Sequence, residues 1–169
     1  MDWNKHFSEN AIPFANNDAP VEAICRVVSY HLRNKYKSLW LGLEFLDIGC
    51  GAGANMKWMH DRGIEVTGID VSARAIKTAK YRLMDSPTDS WHVAQGSASK
   101  LSYDAESFDG AIEACVLQHL DKRSRRKAYR EIARVLKPGG LFVGYCLMRS
   151  DDIFLANKHR QVKDDPGTI

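Results

Sequence analysis

No stretch of this 169-residue chain approaches the 18 or so consecutive apolar residues that a helix needs to cross a bilayer. A spanning helix is therefore excluded, and no membrane partner is expected. The four cysteines, Cys25, Cys50, Cys115 and Cys146, form no C-x-x-C pair and no metal-ligand spacing, so no metal is expected. Three of them fall in apolar runs and read as small buried hydrophobes. An excess of charge of one sign is also missing. The 24 Lys and Arg stand against 21 Asp and Glu, a formal +3, which permits an acidic partner without demanding one. The opening residues, MDWNKHFSEN, lack the apolar core of a secretory leader, and a reducing, cytoplasmic location is the expectation. Internal repeats and low-complexity tracts are absent. What remains, 44% hydrophobic and 27% charged, is the composition of one ordinary globular domain able to bury a core.

Within that domain the periodicity alternates. Residues 1–18 are aromatic and polar without a period and read as an irregular N-terminal arm. Asp18 and Pro20 open a helix with Ile24, Val27, Val28 and Leu32 on one face. A strand follows near 43–48, then a helix from Ala54 to Gly63, and a strand, EVTGID, ending at Asp70. Ser72 can cap a helix carrying Ile76, Ala79 and Leu83 on one face. Strands are expected at 91–95 (WHVAQ) and 108–114 (FDGAIEA), a helix from Asp121 to Leu136, and a buried strand in LFVGYCL after a stop and turn at Lys137-Pro138-Gly139-Gly140. Strands alternating with helices imply an α/β, Rossmann-like fold: a parallel sheet covered by helices on both faces. The main domain spans 19–147, and 148–169 form a polar tail or a truncated end of it. Ligands of such sheets bind at the carboxyl ends of the strands, at the topological switch point, so the first strand–loop–helix unit is where a site belongs.

That unit reads EFLDIGCGAGANM, residues 44–56. Glycines at 49, 51 and 53 let the backbone turn sharply and approach a ligand closely. Gly49, Gly51 and Ala54 satisfy the dinucleotide pattern G-x-G-x-x-G/A, and Asp70, 21 residues after Gly49, is placed to hold ribose hydroxyls. Both features suit NAD and other nucleoside cofactors alike. Asp47 separates them. A carboxylate two residues before Gly49, with no Lys or Arg anywhere in 44–56, repels a pyrophosphate and suits a cofactor that is cationic and phosphate-free. S-adenosylmethionine, with its ammonium, sulfonium, ribose and adenine, is such a molecule. A second role for Asp47, capping the loop's own N–H groups, is compatible with the first.

The D-x-G-x-G-x-G loop at 47–53, the acid ending GIDVS, the segment SFDGAIEACVLQHL and the segment VLKPGGLF follow one another in order across residues 40–147. Together they resemble the class I S-adenosylmethionine-dependent methyltransferases, in particular small-molecule members similar to the quinone-biosynthesis methyltransferases. The resemblance implies that Asp47, Gly49, Gly51 and Gly53 line the methionine end of the cofactor. It implies that Asp70 takes both ribose hydroxyls, with Ile69 and Val71 near the adenine. Where family members often place an acid after the third strand, this chain has Gly96-Ser97-Ala98, leaving Ser97, beside Ala98, one hydrogen bond for the adenine. Glu113 and Ala114, ending the fourth strand, would face the cofactor with Leu117 close by. The resemblance also implies seven strands, the last two an antiparallel hairpin; residues 148–169 are too polar to supply it, so the hairpin is expected to be missing or truncated. The sheet edge left open would favour pairing into a homodimer.

Methyl transfer implies a small-molecule N, O or C nucleophile as partner and S-adenosylhomocysteine as product. His119, just beyond the fourth strand, is the candidate general base; a local hydrogen-bonding role is the plainer reading. Trp3, Phe7 and Phe14 make the arm aromatic enough to serve as a lid over an acceptor pocket, or to pack on the sheet edge. The run DKRSRRKAYR at 121–130 carries six basic residues against one acid. It reads as a solvated helix face rather than a nucleic-acid footprint, since no stacking platform beyond Tyr129 interleaves it and the N/D-P-P-Y/F motif is absent. The competing readings are a NAD(P)-binding oxidoreductase domain and an inactive cofactor-binding subunit.

Overall fold

The computed structural model describes residues 3–8, 19–37, 40–86 and 88–146. The helices are α1 (Trp3–Ser8), α2 (Glu22–Tyr36), α3 (Ala54–His60), α4 (Ala73–Met84) and α5 (Lys122–Val135), and the strands are β1 (Glu44–Ile48), β2 (Glu65–Asp70), β3 (Trp91–Gln95), β4 (Phe108–Ala114) and β5 (Leu136–Tyr145). The strands form one sheet in the order β3-β2-β1-β4-β5, parallel at every pairing. The chain leaves β1 toward β2 and β3, then crosses back to β4 on the other side of β1. The switch point expected for this class of sheet therefore lies between β1 and β4.

Strand alternation divides the core into layers. Phe45, Val66, Val93, Ile112 and Val143 pack under α2, α3 and α4, against Ile24, Val28, Leu32, Met56, Met59, Ile76, Ala79 and Leu83. Leu46, Ile48, Ile69 and Ala111 face the other way and meet Ala128, Ile132 and Val135 of α5. The helix starts are set locally. Ser72 Oγ accepts from the Ala75 amide at 3.2 Å, and Asp121 Oδ1 accepts from the Arg123 and Ser124 amides at 2.9 and 3.0 Å, so one first-turn donor of α4 and two of α5 are satisfied by side chains. No helix links β3 to β4. The connection is pinned to α5 instead: Arg134 donates to the carbonyls of Tyr103 and Leu101 at 2.7 and 3.0 Å, and Glu131 accepts from the Leu101 amide at 2.8 Å.

Two expectations need correction. Residues 3–8 of the arm are helical rather than irregular; Asp18, expected to open α2, lies outside the described residues, as do 9–17. The stop and turn at 137–140 is a swerve within one strand. Leu136 pairs with Phe108 and Leu141 with Gly110, and the residues between bulge opposite Asp109. Lys137 donates to Asp109 at 2.9 Å and to Glu44 at 3.3 Å, while Lys35 reaches the Gly139 carbonyl at 2.9 Å. Those long-range bonds hold the bulge against the sheet. Among the described residues no strand pairs with the outer edge of β5, and residues 147–169, where an antiparallel hairpin was expected to be missing, lie outside them.

Phe45 is fully buried, and its ring lies where a Cβ on Gly110 of the neighbouring strand would sit. Gly110→Ala should cost about 1–3 kcal/mol through overpacking, seen as a lower urea midpoint with an unchanged denaturant slope. A midpoint equal to the parent's would mean that the ring moves aside freely.

Candidate functional site

The glycine loop sits at the carboxyl end of β1, closed on itself by the Gly53 amide donating to the Cys50 carbonyl at 2.9 Å and anchored to β2. The Gly49 and Cys50 amides donate to the Ile69 carbonyl at 2.7 and 2.9 Å. Gly51 N–H donates to Asp70 Oδ2 at 3.0 Å, and Ser72 N–H to Asp70 Oδ1 at 2.8 Å. One carboxylate thus ties the loop after β1 to the turn after β2, with lone pairs to spare on both oxygens. Gly49 and Gly53 have φ of +69° and +81°, a region in which a side chain is strained. A Cβ on Gly49 would also run into Val116. The glycines are thus required by the fold of the loop as well as by any ligand.

Three carboxylates converge on this end of the sheet. Asp47 is 1% exposed, and neither of its oxygens has a hydrogen-bond partner. The role of capping the loop, entertained from the sequence, is not realised, because Asp70 holds that position. Burial first, and the negative charges of Asp70 and Glu113 after it, push the Asp47 carboxyl up to about 8. Asp70 is raised by burial, against the pull of its bonds from Ser72 and Gly51. Glu113 is raised by burial too, against bonds from the Val116 and Leu117 amides at 3.0 and 3.3 Å. Among the described residues, none of the three makes a salt bridge. The same burial and field hold the Cys50 thiol well above its ordinary value. Buried negative groups without a counter-charge are costly. A cationic, hydrogen-bonding ligand placed beside Asp47 would relieve that cost.

The other sequence candidates divide by position. Val71 is half exposed at the rim, its carbonyl held by the Gln95 side chain at 2.8 Å. The Ser97 hydroxyl is turned into a local loop, 3.1 Å from Ser99 Oγ and 3.3 Å from the Ser99 amide. Ile69, Ala98 and Leu117 place their side chains in the core beneath α5, and Ala114 is half-buried against the opposite layer. The Glu113 carboxylate accepts from the two amides that enter the 3₁₀ turn Leu117–His119, which carries the candidate base. His119 is half-buried, its ring edge against Trp3 with centroids 4.9 Å apart. The residue after Trp3, Asn4, accepts from the Ser72 hydroxyl at 2.9 Å and the Arg74 amide at 3.4 Å. Adjacent residues of α1 thus touch the segments following β4 and β2, which flank β1, so α1 lies across the end of β1. The aromatic content of the arm signalled Trp3; nothing in the sequence marks Asn4 or Cys50 as site neighbours. Among the described residues no group of acids, histidines and cysteines is arranged to hold a metal.

Comparison with known proteins places the whole sheet in one family. The Methyltransferase domain family matches residues 46–144, from within β1 to within β5. A 24-methylenesterol C-methyltransferase of Arabidopsis thaliana is 36% identical over 107 residues, 62% of this chain and 29% of its own. The sterol 4-C-methyltransferase strm-1 of Caenorhabditis elegans is 27% identical over 92% of this chain and 45% of its own. A demethylmenaquinone methyltransferase of Tropheryma whipplei is 33% identical over 60% of this chain and 41% of its own. The chain spans less than half the length of these curated relatives. Among solved structures, the PH0226 protein of Pyrococcus horikoshii superposes with a TM-score of 0.65 at 26% identity, covering 80% of this chain and 63% of that one. A SAM-dependent methyltransferase from Methanosarcina mazei gives 0.62 at 28% identity, covering 76% of this chain and 64% of that one. With the parallel sheet and the loop at its switch point, these matches show that the chain belongs to the class I S-adenosylmethionine-dependent methyltransferase family.

Proposed function

We propose that this chain binds S-adenosylmethionine over the carboxyl ends of β1, β2 and β4 and transfers its methyl group to a small, apolar, lipid-like nucleophile. The observation that carries the cofactor reading is the unpartnered carboxylate of Asp47, buried among Asp70 and Glu113 with no cation to balance it. A pyrophosphate brought to that field would be repelled, which weighs against the NAD(P) alternative. The acceptor class is drawn from the sterol and demethylmenaquinone relatives, whose substrates are lipids.

In this reading the Asp47 carboxylate and the amides of Gly49, Gly51 and Gly53 hold the amino-acid end of the cofactor. Asp70 spends its free lone pairs on the ribose hydroxyls while its occupied ones keep the loop in place. Val71 and the backbone at Ile69 flank the adenine, and Ser97 with Ala98 close its far side. Glu113 orients the 3₁₀ turn, and with it Ala114, Leu117 and His119, toward the acceptor. When bound, the sulfonium supplies an activated methyl group, so the acceptor atom needs chiefly to be held in line with it; proximity and orientation can contribute roughly 7–11 kcal/mol. His119 takes the proton of a hydroxyl or amine acceptor, and Trp3 fixes its ring. Helix α1 serves as the lid, excluding water from the mouth. Two copies pairing through the outer edge of β5 would double the mass in solution, which sedimentation reads directly.

Titration calorimetry should detect S-adenosylmethionine and S-adenosylhomocysteine and no NAD, and Asp70→Ala should weaken both ligands. Absence of both would refute the cofactor assignment. The Asp47 carboxyl offers a separate check. Its folded value lies above its unfolded one, so the folded state keeps a proton that the unfolded state sheds. Stability is complete below the ordinary 3.8 and falls as pH rises toward about 8. Asp47→Asn should flatten that fall and leave the protein more stable than the parent at pH 8, by on the order of a few kcal/mol, while binding cofactor less tightly. A variant that loses stability instead would make Asp47 a structural residue. In a turnover assay over hydroxyl, amine and carbon acceptors, His119→Ala should lower rates about 10²–10⁴-fold on proton-bearing acceptors with cofactor affinity little changed. Removing residues 1–17 should raise the acceptor KM. Unchanged turnover in the first case removes His119 as base, and no turnover by the parent on any acceptor favours an inactive cofactor-binding subunit.

A further inference from the structure

Helix α5 carries its charge in a way the methyl-transfer site does not use. Ala128, Ile132 and Val135 turn into the core. At helical spacing this leaves Arg123, Arg126, Lys127 and Arg130 together on the outward face, all four exposed. None of the four has an ion pair among the described residues. The acids nearest in sequence are engaged elsewhere: Asp121 caps the helix, and Glu131 pairs with Arg134 at 2.9 Å. Lys100, from the connection after β3, joins the row beside Lys127 and Arg130 around a shallow depression shared with Ser99 and Glu131, the last already paired with Arg134. The arrangement is unfavourable to the helix. Like charges three and four residues apart repel, and cations in the first turn, where no acid is present, oppose the helix dipole. A stripe kept at that cost calls for an anionic partner.

The stripe begins next to the site. Asp121 follows the 3₁₀ turn bearing His119 by one residue, so the Arg123 end of the stripe lies beside the mouth that α1 crosses. Tyr129 flanks the row, half exposed, in a T-shaped contact with Phe142 whose centroids are 6.2 Å apart. An amphipathic ring beside a row of basic side chains suits a lipid headgroup layer.

We infer that the basic face of α5, with Lys100, docks the protein on an anionic phospholipid bilayer, bringing the site mouth to the surface from which an apolar acceptor is taken. The inference rests on the lipid-like acceptor proposed above. It revises the expectation that the run is merely solvated and that no membrane is involved. It requires no spanning segment, and among the described residues no helix is long and apolar enough to cross a membrane.

The test uses the full chain with vesicles of phosphatidylcholine alone and with about one-third phosphatidylglycerol, followed by co-sedimentation. Binding is expected to the anionic vesicles only, and to be lost at roughly 0.5 M salt. The triple variant Arg123→Gln, Arg126→Gln, Arg130→Gln should partition about a hundredfold more weakly, at about fivefold per basic residue. It should be no less stable in urea than the parent, because it removes repulsion. Its S-adenosylmethionine affinity by calorimetry should be unchanged, which separates failure of docking from failure of the cofactor reading. Equal binding to both vesicle types, or a triple variant that binds like the parent, would overturn the inference. So would release from vesicles by inorganic phosphate, or by duplex or single-stranded nucleic acid at lower concentration than anionic lipid.

Discussion

Everything at the functional end of this protein is arranged around a carboxylate that the fold buries and does not pair. Asp47 lies on the central strand, with β2 on one side and β4 on the other, and its register partners Gly68 and Ile112 offer it no side-chain donor. The switch in strand order makes this the place where the loops after β1 and β4 diverge. A crevice opens there in any sheet of this topology, and the sequence puts an unpartnered carboxyl group at its floor. The two other acids come from the adjacent strands and deepen the field instead of balancing it. A cluster of this kind lowers the stability of the fold as pH rises, and the cation-binding role proposed for this end of the sheet rests on it.

The second and third carboxylates differ from the first in already having work. Asp70 binds the amides of Gly51 and Ser72, and Glu113 those of Val116 and Leu117. Asp70 ties the loop after β1 to the turn after β2, and Glu113 fixes the loop that leaves its own strand, β4. The loops that would hold a ligand are therefore shaped before any ligand arrives, which lowers the ordering cost of binding. Asp47 alone is left with its capacity unspent. The division of labour follows from position. Asp70 ends β2, while Glu113 and Asp47 each stand one residue before the end of their strands; in the sheet's register Asp47 lies one position below Glu113 and two below Asp70, further from the free amides of the loops.

What the sequence made legible was whatever depends on neighbours in the chain. The five strands, the cap at Ser72 and the glycine loop all follow from local pattern, and the parallel, helix-covered sheet follows from their alternation; the strand order does not. The contrast between Asp47 and an absence of cations in 44–56 was visible as well, because charge is a property of composition. Contacts between distant segments were not visible. The helicity of residues 3–8 is supported by Asn4 reaching Ser72 and Arg74, and by Trp3 meeting His119, partners some seventy and more than a hundred residues away. The bulge at 137–140 looks like a turn in isolation and becomes part of a strand only because Asp109, Glu44 and Lys35 hold it from elsewhere. Ile69, Ala98 and Leu117 could be placed near the cofactor by analogy of position, but not assigned to the core beneath α5, which depends on where that helix packs.

The formal charge of +3 conceals the most informative electrostatic fact about the molecule, which is segregation. The acids that matter for a ligand are inside, uncompensated, at the carboxyl end of the sheet. The bases that matter for a partner are outside, uncompensated, on one face of α5. Neither set neutralises the other, because the buried carboxylates exclude the hydrated side chains that would pair with them, while the helix turns its basic face to water. Each arrangement costs the folded protein something, and evolution toward stability alone would remove both by substitutions no larger than Asp to Asn or Arg to Gln. Their coexistence on adjoining elements, joined by the short 3₁₀ turn that carries His119, ties an inward preference for a cation to an outward preference for an anionic surface.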